Sequence, residues 1–192
     1  AAPVRVTLIS KASAKSHRPD GLFSEQTCPI VGAGRLGELF IKATPSGLDK
    51  LNKTIRQNDS AQLTKELSCV ESIEPITPKF RRGSVSSSDL LRKSPRRADG
   101  FLTRVRLFDF GRDGDQERLV ADFENVCKKR GIPITQDGYS SRSFVYSAEC
   151  RNTADVNVVA GIVGVRSIYQ MPLIRVVRPK AINAAALPSL SV

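Results

Sequence analysis

Two stretches of this chain, CVESIEPI at 69–76 and GVRSIYQM at 164–171, share the pattern V-x-S-I-x-x-(I/M) at a separation of 95 residues. This echo constrains the fold more than any other feature. A chain of 192 residues has room for one medium domain or two small ones, and a repeat of only two units marks duplication rather than a solenoid. Each half should therefore close on an equivalent strand.

The second half reads most fully. In FLTRVRLFDF, Phe101, Thr103, Val105 and Leu107 alternate with Leu102, Arg104 and Arg106, the period of a half-buried strand. A helix starts at Asp115 with Leu119, Val120, Phe123, Val126 and Cys127 inward. Lys128, Lys129 and Arg130 suit its negative end, and Gly131 suits the position just beyond it. Next come the short segment IPI, the strand SFVYSAEC, a helix capped by Asn152 or Thr153 with Val156, Val159, Ala160 and Val163 inward, and the strand VRSIYQMPLIRVV. The order β-α-β-β-α-β is that of a ferredoxin-like plait, an antiparallel sheet with two helices on one face.

The first half ends the same way. VRVTLIS at 4–10 alternates Val4, Val6 and Leu8 with Arg5 and Thr7, and LGELFIKAT places Leu39, Ile41 and Ala43 on one face. Thr44 as N-cap and Pro45 at the first helical position open a helix with the stripe Leu48, Leu51 and Ile55. Leu63 and Leu67 suggest another short helix, and VESIEPITP a closing strand. The expected class is α+β with two ferredoxin-like units, the first with a weak or missing first helix. The units span 1–78 and 100–178, joined by a basic linker at 79–99 and followed by an extended tail at 179–192.

The net charge of +11 is unevenly spread, since residues 79–97, KFRRGSVSSSDLLRKSPRR, hold seven Lys or Arg and one Asp. A Ser- and Pro-containing stretch without periodicity reads as a basic linker or as a nucleic-acid-binding arm. Within it, RRGS at 81–84 would suit a basophilic kinase acting on Ser84, a match that basic linkers often contain by chance. No apolar run approaches the roughly 18–20 residues that cross a bilayer, so no membrane partner is expected. The start at Ala1 suggests a removed leader or a piece of a longer protein, and the tail PKAINAAALPSLSV, without a closing element, points the same way. No signal-type segment is visible, which favours the cytoplasm. Cys28, Cys69, Cys127 and Cys150 lie far apart without a C-x-x-C pair; two disulfides are arithmetically possible, but the spacing is not that of a disulfide scaffold and favours buried free thiols.

Gly32, Gly34 and Gly37 match G-x-G-x-x-G, the phosphate-binding turn of dinucleotide folds. That turn needs a long helix after the glycines, whereas here a strand pattern follows and Pro45 interrupts it. The glycines are expected instead to allow a tight turn or bulge where a strand enters the sheet. His17, the single histidine, reads as a loop residue, and Asp113 and Asp115 as a loop and a helix cap. No nucleophile motif, metal-ligand spacing or cofactor signature occurs, so no catalytic residue, metal or cofactor is expected in this chain. SRSFVYSAE distantly matches the RNP1 pattern of RNA-binding plaits, with Phe144 and Tyr146 as stacking rings. A nucleic-acid binder would use those rings with Arg81, Arg82, Arg96 and Arg97.

Three stretches carry a resemblance to a known family. AKSHRPDGLF at 14–23 with CPIVGAGRLGELFIKATPSGLDKL at 28–51, VESIEPITP, and GVRSIYQMP with the Pro- and Ala-containing tail together resemble the N-terminal, non-catalytic region of bacterial subtilisin-like serine peptidases. The resemblance implies a propeptide-like role as folding chaperone and inhibitor, or a regulatory module that stays attached. The partner would be a subtilisin-like catalytic domain in cis or trans, or another protein. Family propeptides lay their sheet on the enzyme and their C-terminal tail in the substrate cleft. By that resemblance, Leu187, Pro188, Leu190 and Val192 would fill the cleft. The family's D-S/T-G, H-G-T and G-T-S motifs are absent from this chain, and the parent protein would supply them. Two plaits where small propeptides have one, and a basic linker with no counterpart, depart from the family pattern.

Overall fold

A computed structural model describes residues 1–9, 18–57, 60–111, 114–136 and 144–171. Among these residues, eight strands form two four-stranded antiparallel sheets. The first contains β1 (Ala2–Leu8), β2 (Ile30–Ala33), β3 (Glu38–Ala43) and β4 (Val70–Pro75), in the spatial order β2-β3-β1-β4. The second contains β5 (Phe101–Leu107), β6 (Ile134–Gln136), β7 (Val145–Cys150) and β8 (Val165–Gln170), ordered β6-β7-β5-β8. The two orders are the same permutation, so the chain is an α+β protein compatible with two ferredoxin-like units.

The sequence echo has a structural cause. On both closing strands the register slips by one residue at the same point. Leu8 pairs with Val70, Thr7 with Ser72 and Val6 with Ile73, while Leu107 pairs with Val165, Arg106 with Ser167 and Val105 with Ile168. V-x-S-I is the signature of a β-bulge whose extra residue is Glu71 in one unit and Arg166 in the other. A bulge re-aims the side chain it inserts.

In the first unit, Val6, Leu8, Leu39 and Ile41 pack against Leu22, Phe23, Cys28 and Leu51. The helices are α1 (Pro45–Arg56) and α2 (Ala61–Ser68). Thr44 Oγ1 accepts the Gly47 N–H at 3.0 Å, as the N-cap assignment requires. The expected stripe is corrected, because Leu48 and Ile55 are exposed and the buried face runs through Gly47 and Leu51. Gly47 sits where a Cβ would stand 2.3 Å from the Thr27 carbonyl, so the helix rotates its smallest residue onto the 18–29 segment. Strand β2 was not expected. It is four residues long, contains Gly32, and shows no alternation. The glycines shape a bulge between Ile30 and Gly32 and a tight turn in which Gly37 takes φ 80°.

In the second unit, α5 (Gly114–Lys129) and α6 (Thr153–Gly161) cover one face of the sheet. Phe123, Cys127, Val156 and Val159 from these helices meet Val105, Tyr146, Ala148 and Ile168 from the strands. Gly131 takes φ 61°, and α5 closes with Ile132 N–H donating to the Cys127 carbonyl and Gly131 N–H to that of Lys128. This paired pattern satisfies the carbonyls a helix end leaves open. The expected inward Val163 is exposed, since it lies past the end of α6.

Residues 79–99, expected as an aperiodic linker, contain structure. α3 (Pro78–Arg81) is capped by Thr77 and α4 (Ser87–Lys93) by Ser86, whose Oγ accepts the Asp89 N–H. Leu90 and Leu91 are buried in the larger core, with Ile76 alongside. These two short helices extend the helical layer over the edge strand β8. Ile168 is accordingly 1% exposed, whereas its counterpart Ile73, with no such cover, is 45% exposed.

Candidate functional site

The outer face of the first sheet is covered by the second unit. Phe40 points out of that face, away from its own core, and meets Phe108 edge-on at 5.2 Å and Phe80 at 6.0 Å. Lys42 on the same face pairs with Asp115 at 2.9 Å. The outer face of the second sheet is different. Arg106 and Tyr169 are exposed, and Leu102, Arg104, Val145, Ser147 and Glu149 are half-buried. It is a mixed face of apolar and charged residues, exposed at Arg106 and Tyr169, and its edge strand β8 ends at Gln170.

The residues proposed for nucleic-acid contact do not converge. Tyr146 is 3% exposed and lies against Phe123 at 4.9 Å, with Phe144 packed on the same core. The strand turns Phe144, Tyr146, Ala148 and Cys150 toward the helices, so no stacking platform forms there. Burial, with Glu124 beside the hydroxyl, raises the Tyr146 pKa. Arg81 is 5% exposed. Its Nη1 donates to the Ala160 carbonyl at 2.8 Å and Nη2 to that of Val163 at 3.2 Å, so it caps the end of α6. Desolvation lowers its pKa. Arg82 donates to Asn157 Oδ1 at 3.0 Å. Arg96 and Arg97 are exposed, with the Arg96 guanidinium over the Phe101 ring.

Leu187, Pro188, Leu190 and Val192 lie outside the described residues, as do His17 and Asp113. Asp115 lies in the first turn of α5. The four cysteines are free and buried. Among the described residues no group of His, Cys, Asp or Glu gathers as a metal site, and no helix is long and apolar enough to cross a membrane.

Arg5, Arg106 and Arg166 do come together, from three stretches far apart in sequence. Their only sequence signals were the strand alternation that turns Arg5 and Arg106 outward and the bulge that carries Arg166. No protein-family model, curated protein or solved structure matches this chain.

Proposed function

We propose that this chain is the non-catalytic regulatory region of a subtilisin-like serine peptidase, acting on a catalytic domain in cis or in trans. The supporting observation is the mixed apolar and charged outer face of the β6-β7-β5-β8 sheet, without a helix of this unit on it and exposed at Arg106 and Tyr169, beside a closing strand from which the sequence continues. A plait that lays this face on an enzyme can direct the following residues along the substrate cleft as an added strand. Leu187, Leu190 and Val192 would supply the apolar side chains there.

The test uses the purified chain, the same chain ending at Met171, and a subtilisin-like catalytic domain assayed on a peptide substrate. The full chain should inhibit, and the truncated one should lose at least ten-fold in inhibition constant while still binding the enzyme through its sheet. Absence of both inhibition and binding for the full chain would overturn the reading.

A further inference from the structure

A cleft of about 720 Å³ opens where β8 and the 78–84 segment meet the first sheet. Among the described residues, seven Lys or Arg side chains line it against one carboxylate, Glu38. Part of this charge is already satisfied. Arg5 is clamped by Glu38 and Glu74, and its guanidinium lies over the Phe80 ring. Arg166, the extra residue of the β8 bulge, donates to the Ala33 carbonyl at 2.7 Å and stacks over Phe40. A Cβ on Gly32 would stand 3.3 Å from that guanidinium, so the glycine leaves Arg166 its space.

The remainder is satisfied only in part, since Arg81 and Arg82 donate from their Nη groups to α6 and the turn after it. Among the described residues, Arg106, Lys79 and the Arg35 guanidinium have no carboxylate partner. The Nε–H groups of Arg81 and Arg82 are buried with no acceptor among the described residues. Arg166 is held below its ordinary pKa by burial first and then by the charge of Arg106. Like charges gathered in a concave site raise its potential for anions. Guanidinium forks match tetrahedral oxyanions bidentately, and two or three of them from different directions suit a phosphate better than a flat carboxylate. The volume falls in the small-molecule range, about 300–1,000 Å³, and Tyr169 and Phe80 give it an aromatic border.

We propose that this cleft binds a phosphate-bearing small molecule, with the phosphate on Arg106, Lys79 and Arg82 and the organic body against Tyr169 and Phe80. The cleft shares Arg106 and Tyr169 with the sheet face proposed to meet a peptidase, but ligand binding to the isolated chain does not depend on that reading. Its ligand would bridge both units and the segment between them, so occupancy would lock them together.

The test titrates the full, isotopically labelled chain with pyrophosphate and separately with ADP, holding ionic strength constant with chloride. Saturable amide shifts are expected at Arg35, Ser84 and Ser167, together with a rise in melting temperature. ADP should bind more tightly than pyrophosphate, and equal affinities would overturn the seating of an organic body. K79Q/R106Q, which changes two side chains with no ion-pair partner among the described residues, should melt like the wild type without ligand and lose at least ten-fold in affinity. R118Q, on α5, should bind unchanged. Lack of saturation, or unchanged affinity in K79Q/R106Q, would overturn the proposal. So would binding only of long single-stranded oligonucleotides with affinity growing with length, which would assign the charge to nucleic acid.

Discussion

Cys127 and Cys150 sit side by side in the larger core, and burial sets their chemistry. Desolvation raises the Cys127 thiol to about 12, helped by Cys150 and Glu124, and raises Cys150 to about 11, with Thr103 pulling the other way. A thiol that resists ionisation is a poor nucleophile. Neither residue is therefore suited to covalent catalysis or redox sensing near neutral pH. The same shifts carry a stability consequence. The folded state holds these protons more tightly than the unfolded chain, whose thiols ionise near the reference value of 9.0. The contribution is complete below about pH 9 and is lost as pH rises toward 11 and 12. Urea unfolding between pH 8 and 11 should show stability falling faster in the wild type than in C127A/C150A. The excess slope should approach about 1.4 kcal/mol per pH unit for each thiol. Parallel pH profiles would contradict the burial argument.

The helices of the 78–93 segment owe their stability to docking rather than to their own length, since α3 has four residues and α4 seven. Arg81 is the joint. Its two hydrogen bonds run to carbonyls that α6 and the turn after it leave open, and charge-assisted bonds of this kind are worth roughly 1.5–3 kcal/mol. Arg81→Ala should destabilise the chain by about 2–3 kcal/mol in urea unfolding, and a loss under about 0.5 kcal/mol would mean that α3 docks without it. This element was the hardest to read from sequence, for a physical reason. Leu90 and Leu91 are adjacent rather than spaced, Ser is frequent, and the seven cations of residues 79–97 suggest a solvated tether. The signals were present, however. Thr77-Pro78 repeats the Thr44-Pro45 start of α1, and Ser86-x-x-Asp89 is a helix N-terminus pattern. The second plait was legible because α5 and β5 are long and strictly periodic, while β2 was too short to show a period. Tyr146 was misjudged as a stacking ring although Ala148 and Cys150 share its strand parity and mark that face as core. No local pattern announces the basic cleft, because Arg5, Arg106 and Arg166 meet only once the sheets are formed.

The duplicated plaits have unequal cores. The larger hydrophobic cluster contains the whole interior of the second unit, extends through Leu90, Leu91 and Ile76, and takes in Phe40 from the first. The smaller cluster belongs to the first unit alone. The first unit thus lends a side chain to the core of the second, and the connecting segment belongs to the second unit energetically although it lies between the two in sequence. The boundary of the autonomous part should then fall before Ile76 rather than near residue 100. A fragment of residues 76–171 should unfold cooperatively, because it keeps α3, α4 and all of the larger core except Phe40 and the neighbouring Val31. A fragment of 100–171 loses Arg81 and the burial of Leu90 and Leu91, each worth about 1.5–3 kcal/mol. Set against the roughly 5–15 kcal/mol that stabilise an ordinary domain, that loss should leave 100–171 largely unfolded or with a broad transition. Circular dichroism and urea titration of the two fragments decide the matter. Equal midpoints would make the 78–93 helices a dispensable tether, whereas a cooperative 76–171 beside an unfolded 100–171 would make them part of the second domain's core.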